Sequence, residues 1–191
     1  MERFVESRKP RVPNREDNPC FQQLLTLIQE GDNEGIIAFL DEKDSVIFES
    51  YEHGSNVVGS AVKYGSLDVV KALVSFGFDP EEDVSPFGHC ARPIRLACKA
   101  GYLDIVKFLV EDHGVSMETS DGCLTEAPVF HAVFNGRLNV VKYFVESVDS
   151  LSERFRRVMV LFPSVIKNDQ SAICEYLLSQ GADVDQSSAQ E

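Results

Sequence analysis

The residue types that most often carry chemistry are sparse in this 191-residue chain. Its four histidines, His53, His89, His113 and His131, include no pair at the His-x-x-x-His spacing that would aim two imidazoles at one metal from a helix face. The five cysteines (Cys20, Cys90, Cys98, Cys123, Cys174) are odd in number, widely spread and form no CxxC pair, which argues against a disulfide framework or a zinc site. The one local grouping is His89–Cys90 with Cys98 nearby, which could supply a nucleophile or metal ligands. The plainer reading makes it a loop histidine beside a cysteine, with Cys98 filling a small apolar slot. The carboxylates of "DPEEDV" (79–84) read as a solvated charge run rather than an acid/base pair or calcium loop. No GxSxG, phosphate loop or dinucleotide fingerprint occurs. The expectation is therefore no catalytic residue, no metal and no cofactor. A small enzyme or ligand carrier using the His89/Cys90/Cys98 neighbourhood is the alternative.

Charge bounds the partners. Asp and Glu number 31 against 18 Lys and Arg, a formal net charge of -13, so phosphate backbones are repelled and nucleic acid is not expected as a ligand. A protein partner with a basic surface would be steered in; the competing reading is that the charge serves solubility alone. No apolar run reaches the roughly 18 residues of a membrane span, and "MERFVESRKP" lacks the apolar core of a secretory signal. A reduced, cytoplasmic, monomeric protein is expected, with "RKPR" (8–11) a nuclear-import candidate.

What must position any site is a repeat. "GSLDVVKALVS" (65–75), "GYLDIVKFLVE" (101–111) and "GRLNVVKYFVE" (136–146) are one phrase written three times. In the middle copy Leu103, Val106, Leu109 and Val110 share a helical face, with Asp104 and Lys107 turned away. Each phrase follows a shorter apolar stretch, "VVGSAVKYG", "PIRLACKAG" or "PVFHAVFNG", that ends on the glycine. Pro93 and Pro128 stand where a first helical residue tolerates a missing N–H. Fainter copies flank these, so five units are expected, turning at Gly31, Gly65, Gly101, Gly136 and Asn168. A unit is helix, tight turn, helix, loop. One unit cannot bury its own apolar face, and neighbours must do it.

With an inner helix opening "P-[IV]-x-x-A", an outer helix "G-x-L-[DN]-[IV]-V-K-x-[LF]-V" and the tail "LLSQGADVD", residues 20–185 resemble ankyrin repeats. The outer-helix wording is also similar to repeats of fem-1-like proteins and amoebal-virus arrays. The resemblance implies a mainly α solenoid of stacked helix-turn-helix units with projecting loops or β-hairpin fingers. The units fall at about 20–50, 51–86, 87–122, 123–149 and 150–185, between an unstructured 1–19 and a loose tail, 186–191. The family's opening "TPLH" is worn to "NVVG" (56–59), "RPIR" (92–95) and "APVF" (127–130). Its Thr and His bonds cannot form there, which puts hydrogen bonding between repeats in question, and stability is expected to rest more on apolar stacking.

The resemblance also implies a non-catalytic, acidic concave scaffold that acts as adaptor or inhibitor of a protein partner. In that pattern the fingers and the two residues before each turn line the concave face. Here those are Glu52, His53, Ser55, His89, Ala91 and Glu126 from the fingers, and Lys63, Tyr64, Lys99, Ala100, Phe134, Asn135 and Lys167 from the helix ends. Tyr64 and Phe134 stand out, because exposed aromatics dominate interface energy; packing against a neighbouring repeat is their other reading. Two loops, 77–92 and 111–127, look longer than the family's, a feature compatible with function or with drift. "SLSERFRRVMVLF" (150–162) reads as a helix with Leu151, Phe155, Val158 and Phe162 on one face. Its cluster Arg154, Arg156 and Arg157 is either a salt-bridged surface or a contact for an acidic partner.

Overall fold

The structure is a computed structural model that describes residues 19–43, 57–81, 92–117, 127–147 and 170–182, with 153, 156–158, 160, 161 and 165. Helices come in pairs: α1 (Pro19–Glu30) with α2 (Asn33–Glu42), α3 (Val57–Tyr64) with α4 (Leu67–Phe76), α5 (Pro93–Ala100) with α6 (Leu103–Lys107), and α7 (Pro128–Phe134) with α8 (Leu138–Glu146). A last outer helix, α9 (Ser171–Ser179), packs on α8. The first-in-pair helices stack as an inner row, α1–α3–α5–α7, and the second-in-pair helices as an outer row, α2–α4–α6–α8–α9. Ala61, Ala97 and Ala132 hold equivalent buried places in the inner row, and a side chain that small lets helix axes approach closely. Pro93 and Pro128 are the first residues of their helices. No strand occurs among the described residues, and the fingertips lie outside them.

The core is continuous through the stack. Val69, Val70 and Leu73 of α4, Ile105, Val106 and Leu109 of the third unit, and Val140, Val141 and Val145 of α8 are all buried. Residues 153, 156–158, 160, 161 and 165 are helical, and Val158, Leu161 and Val165 share a buried face at i, i+3 and i+7. The other apolar residues expected on that face, Leu151, Phe155 and Phe162, lie outside the described set.

The third outer helix changes winding. After Leu103–Lys107 the chain enters a π-helical turn, Phe108–Asp112. From the buried leucine to the closing glycine, Leu73 to Gly77 and Leu177 to Gly181 span four steps, but Leu109 to Gly114 spans five. The π turn absorbs that extra residue. Beyond it Val115 donates its N–H to Leu109 O, as Phe78 does to Leu73 O and Ala182 to Leu177 O.

Hydrogen bonds do pass between repeats, at the turns rather than at the worn motif. Arg137 Nε donates to Lys99 O at 3.0 Å, Asn139 Nδ2 to Gly101 O at 3.0 Å, and Gln170 Nε2 to Phe134 O at 3.4 Å. These carbonyls end an inner helix, where no intrahelical donor remains. The residue opening the next outer helix reaches back to them. The worn positions themselves are filled by buried side chains or none: Gly59, Arg95 and Phe130. Arg95 is 7% exposed, the one charged side chain so buried among the described residues.

Candidate functional site

The described part of the expected surface lies at the C-terminal ends of the inner helices. Lys63 and Tyr64 end α3, Lys99 and Ala100 end α5, and Phe134 and Asn135 close α7. Ala100 is half-buried, and the other five are exposed, Tyr64 by 51% and Phe134 by 40%. Because α3, α5 and α7 stack side by side, Lys63, Lys99 and Phe134, each two residues before its turn glycine, form a row across three units. Axis separations of roughly 8–10 Å set the step of that row. Asn135 folds back, its Nδ2 donating to His131 O at 2.7 Å as a helix-end cap. Glu52, His53, Ser55, His89, Ala91, Glu126, Lys167 and Asn168 lie outside the described residues.

The turns that hold the row have left-handed backbone at Gly31, Gly65, Gly101 and Gly136. At Gly65 a Cβ would lie 2.7 Å from the Tyr102 ring, and at Gly136 it would lie 2.7 Å from Gln170 Oε1. At Gly65, Gly101 and Gly136 the residue that caps the next unit's outer helix thus seats against the turn, whereas among the described residues nothing lies within 4 Å of such a Cβ at Gly31. In that register Gln170 is the counterpart of Arg137 and Tyr102, so the counterpart of Gly136 counts to position 169, one residue after Asn168.

Charge is segregated between the rows. Outer helices carry acids such as Glu34, Asp68, Asp104, Glu111, Glu146 and Glu175, whereas the described ends of the inner helices carry Lys63 and Lys99 against Glu30. At these described positions the surface carries two lysines, within a chain whose net charge is -13. Apart from Lys63 and Lys99, the described cations are engaged. Lys71 sits over the Phe108 ring, Lys107 over Tyr143 and Lys142 over Tyr176, at 5.7, 5.7 and 5.3 Å. Lys43 lies over Phe39, Arg92 pairs with Glu81, and Arg156 bonds Glu153. No ion pair, ring contact or hydrogen bond holds the Lys63 or Lys99 ammonium among the described residues.

The outer-row lysines form a ladder that sequence reading missed. Lys at turn+6 of one unit covers the aromatic at turn+7 of the next, and Glu at turn+10 receives that ring's hydroxyl. Tyr176 Oη donates to Glu146 Oε1 at 2.9 Å, and Tyr143 bonds Glu111 in the same way. Phe108 lacks a hydroxyl, and Ser75 stands where its glutamate would be. Aligning the copies with an offset of one repeat would have exposed the pairing. A shallow groove of about 450 Å³ runs beside it, lined by Leu103, Lys107, Asn139, Lys142, Tyr143 and Glu146.

Of the cysteine–histidine grouping, Cys98 alone is described. It is fully buried in α5, and desolvation pushes its thiol far above the ordinary value, the behaviour of a small hydrophobe rather than of a nucleophile. No cluster of three His, Cys, Asp or Glu able to hold a metal occurs among the described residues, and no described helix is long and apolar enough to cross a membrane. The arginine cluster is built into the fold at Arg157, whose Nη1 donates to Phe144 O at 2.6 Å and to Ser147 Oγ at 2.9 Å while the guanidinium lies over the Phe144 ring.

Comparison with known proteins places this architecture. The model described as "Ankyrin repeats (3 copies)" matches residues 14–121, 58–153 and 94–188. Protein phosphatase 1 regulatory subunit 27 of Homo sapiens is 29% identical over 109 residues, 56% of this chain and 64% of that protein. Putative ankyrin repeat protein R791 of Acanthamoeba polyphaga mimivirus is 30% identical over 105 residues, 52% of this chain and 33% of the relative. Alpha-latrotoxin-Lh1a of Latrodectus hasselti is 32% identical over 90 residues, 47% of this chain and only 6% of the toxin. The chain thus spans a third or less of two of these relatives and just under two thirds of the other. Overlapping matches along nearly the whole chain, laid on helix pairs that stack turn against turn, show that it belongs to the ankyrin-repeat family.

Proposed function

We propose that this protein is a non-catalytic protein-interaction module, an adaptor or inhibitor that holds a protein partner against the inner-helix ends and the fingers. Ankyrin repeats serve generally as protein-interaction modules, and one relative is named a phosphatase regulatory subunit. The observation that carries the reading is the pair of exposed aromatics, Tyr64 and Phe134, at inner-helix ends two repeats apart. A large ring held in water on a preorganised scaffold loses little freedom on binding, and truncating such an anchor costs about 2 kcal/mol or more. The net charge of -13 favours a partner with some basic surface, met by the acidic finger sequences. Burial of Cys98 weighs against the enzyme alternative, because a thiol in that setting stays protonated.

The test is capture from cell lysate at low and physiological salt, comparing wild type with Tyr64→Ala/Phe134→Ala after circular dichroism shows both folded. A partner held by wild type and lost by the double variant supports the module. Retention of every partner by the variant sinks the assignment to this row.

A further inference from the structure

We infer that the inner-helix row takes an extended acidic segment of its partner, with carboxylates at every third residue followed by an apolar side chain. The inference rests on the inner-helix ends being the partner-facing side, and it goes further by naming what they grip. Lys63 and Lys99 are exposed, hold equivalent places on adjacent units, and have no partner among the described residues. The other described cations are engaged: the outer-row lysines by aromatic rings, Arg92 and Arg156 by carboxylates, and Arg137 and Arg157 by carbonyl oxygens. Two ammonium groups are therefore left open in a chain whose net charge is -13.

The third equivalent place holds Phe134, 40% exposed, and Tyr64 stands beside Lys63. The row thus reads cation, cation, aromatic, with a second ring at its head. Stacked helices step roughly 8–10 Å, and a segment extended as polyproline II advances about 3.1 Å per residue with three residues per turn, so every third side chain faces the same way. About three ligand residues therefore cover one repeat, which gives acidic-x-x-acidic-x-x-apolar. Rigid spacing matters here more than charge alone, because a helical ligand would advance only about 1.5 Å per residue and put both carboxylates over one lysine.

The test is a nitrogen-15 NMR titration of the full chain with a synthetic Gly/Ser peptide bearing Glu, Glu and Phe at every third position. Controls carry the same residues at every second position, or Lys in place of Glu. The expected result is spacing-dependent shifts at the Lys63, Lys99 and Phe134 amides. An exposed ion pair is worth roughly a two- to five-fold change in affinity. Lys63→Glu/Lys99→Glu should therefore weaken the acidic peptide at least about ten-fold and transfer preference to the lysine peptide. Preference of the wild type for the lysine peptide, indifference to spacing, undiminished binding by the double variant, or no binding of any peptide each overturns the inference. Those outcomes leave the module standing if a lysate partner still depends on Tyr64 and Phe134; loss of that dependence overturns the module itself.

Discussion

Arg157→Ala should destabilise the protein markedly, and its neighbour Arg156→Ala should not. Arg157 gives Nη1 to Phe144 O and Ser147 Oγ, stacks its guanidinium 4.4 Å from the Phe144 centroid, and places Nε 3.5 Å from Glu153 Oε1. Phe144 O lies in the last turn of α8, and truncation leaves it the Ser147 hydroxyl, at 3.1 Å, as its remaining donor among the described residues. A charged hydrogen bond of this kind is worth about 1.5–3 kcal/mol, and the ring contact about 0.5–1 kcal/mol. Freed side-chain entropy returns up to about 2 kcal/mol. The net loss centres on about 2 kcal/mol, which for a chain of this size lowers Tm by about 4–8 °C. Arg156 pairs with Glu153 in the open, its side chain 49% exposed, and its loss should fall below about 0.5–1 kcal/mol. Arg157→Lys keeps the charge but not the planar fork, and should recover less than half. Urea unfolding followed by circular dichroism measures all three. If Arg157→Ala matches Arg156→Ala, the arginine is surface charge, and the cluster returns to being a candidate partner contact.

Three further expectations follow from the geometry. Gly65→Ala should cost more than Gly31→Ala: both have positive φ, worth about 1–2 kcal/mol for an L side chain, but only Gly65 faces a ring at 2.7 Å. Adding Tyr102→Ala should remove that excess, measured by chemical denaturation. Burial, the hydrogen bond to Glu111 and that carboxylate's charge push the Tyr143 hydroxyl from 10.0 up to about 12. The folded chain then keeps a proton that the unfolded chain releases, so this contribution is whole below pH 10.0 and fades as pH rises to about 12. Absorbance titration of wild type, Tyr143→Phe and Glu111→Gln should show the high step lost in the first and lowered in the second. Finally, Cys98 should resist a thiol reagent at neutral pH until the chain unfolds, read by mass spectrometry of the labelled peptides; rapid native labelling would reopen the case for chemistry.

The helix pairs were legible because their causes are local. Apolar residues at helical spacing, as from Leu103 to Val110, and prolines that suit a first turn act within a few residues of one another. The family resemblance was legible for the same reason, since each copy must solve the same packing problem. The extra residue between Leu109 and Gly114 was visible as spacing but not as a π turn, because a helix can absorb an insertion by looping out or by rewinding.

What only the tertiary structure decided is everything that crosses from one unit to the next. Arg137 at the Lys99 carbonyl, Tyr102 against Gly65, and each outer-row lysine over the following unit's ring join residues some 35 positions apart in sequence. Such contacts depend on the stacking register and rotation of neighbouring helices, which no within-helix pattern encodes. The charge pattern divides in the same way. Net charge is a property of the sequence, -13 whatever the fold. Which cations are engaged and which are left open depends on stacking. It brings a ring over Lys71, Lys107 and Lys142 and nothing over Lys63 and Lys99 among the described residues.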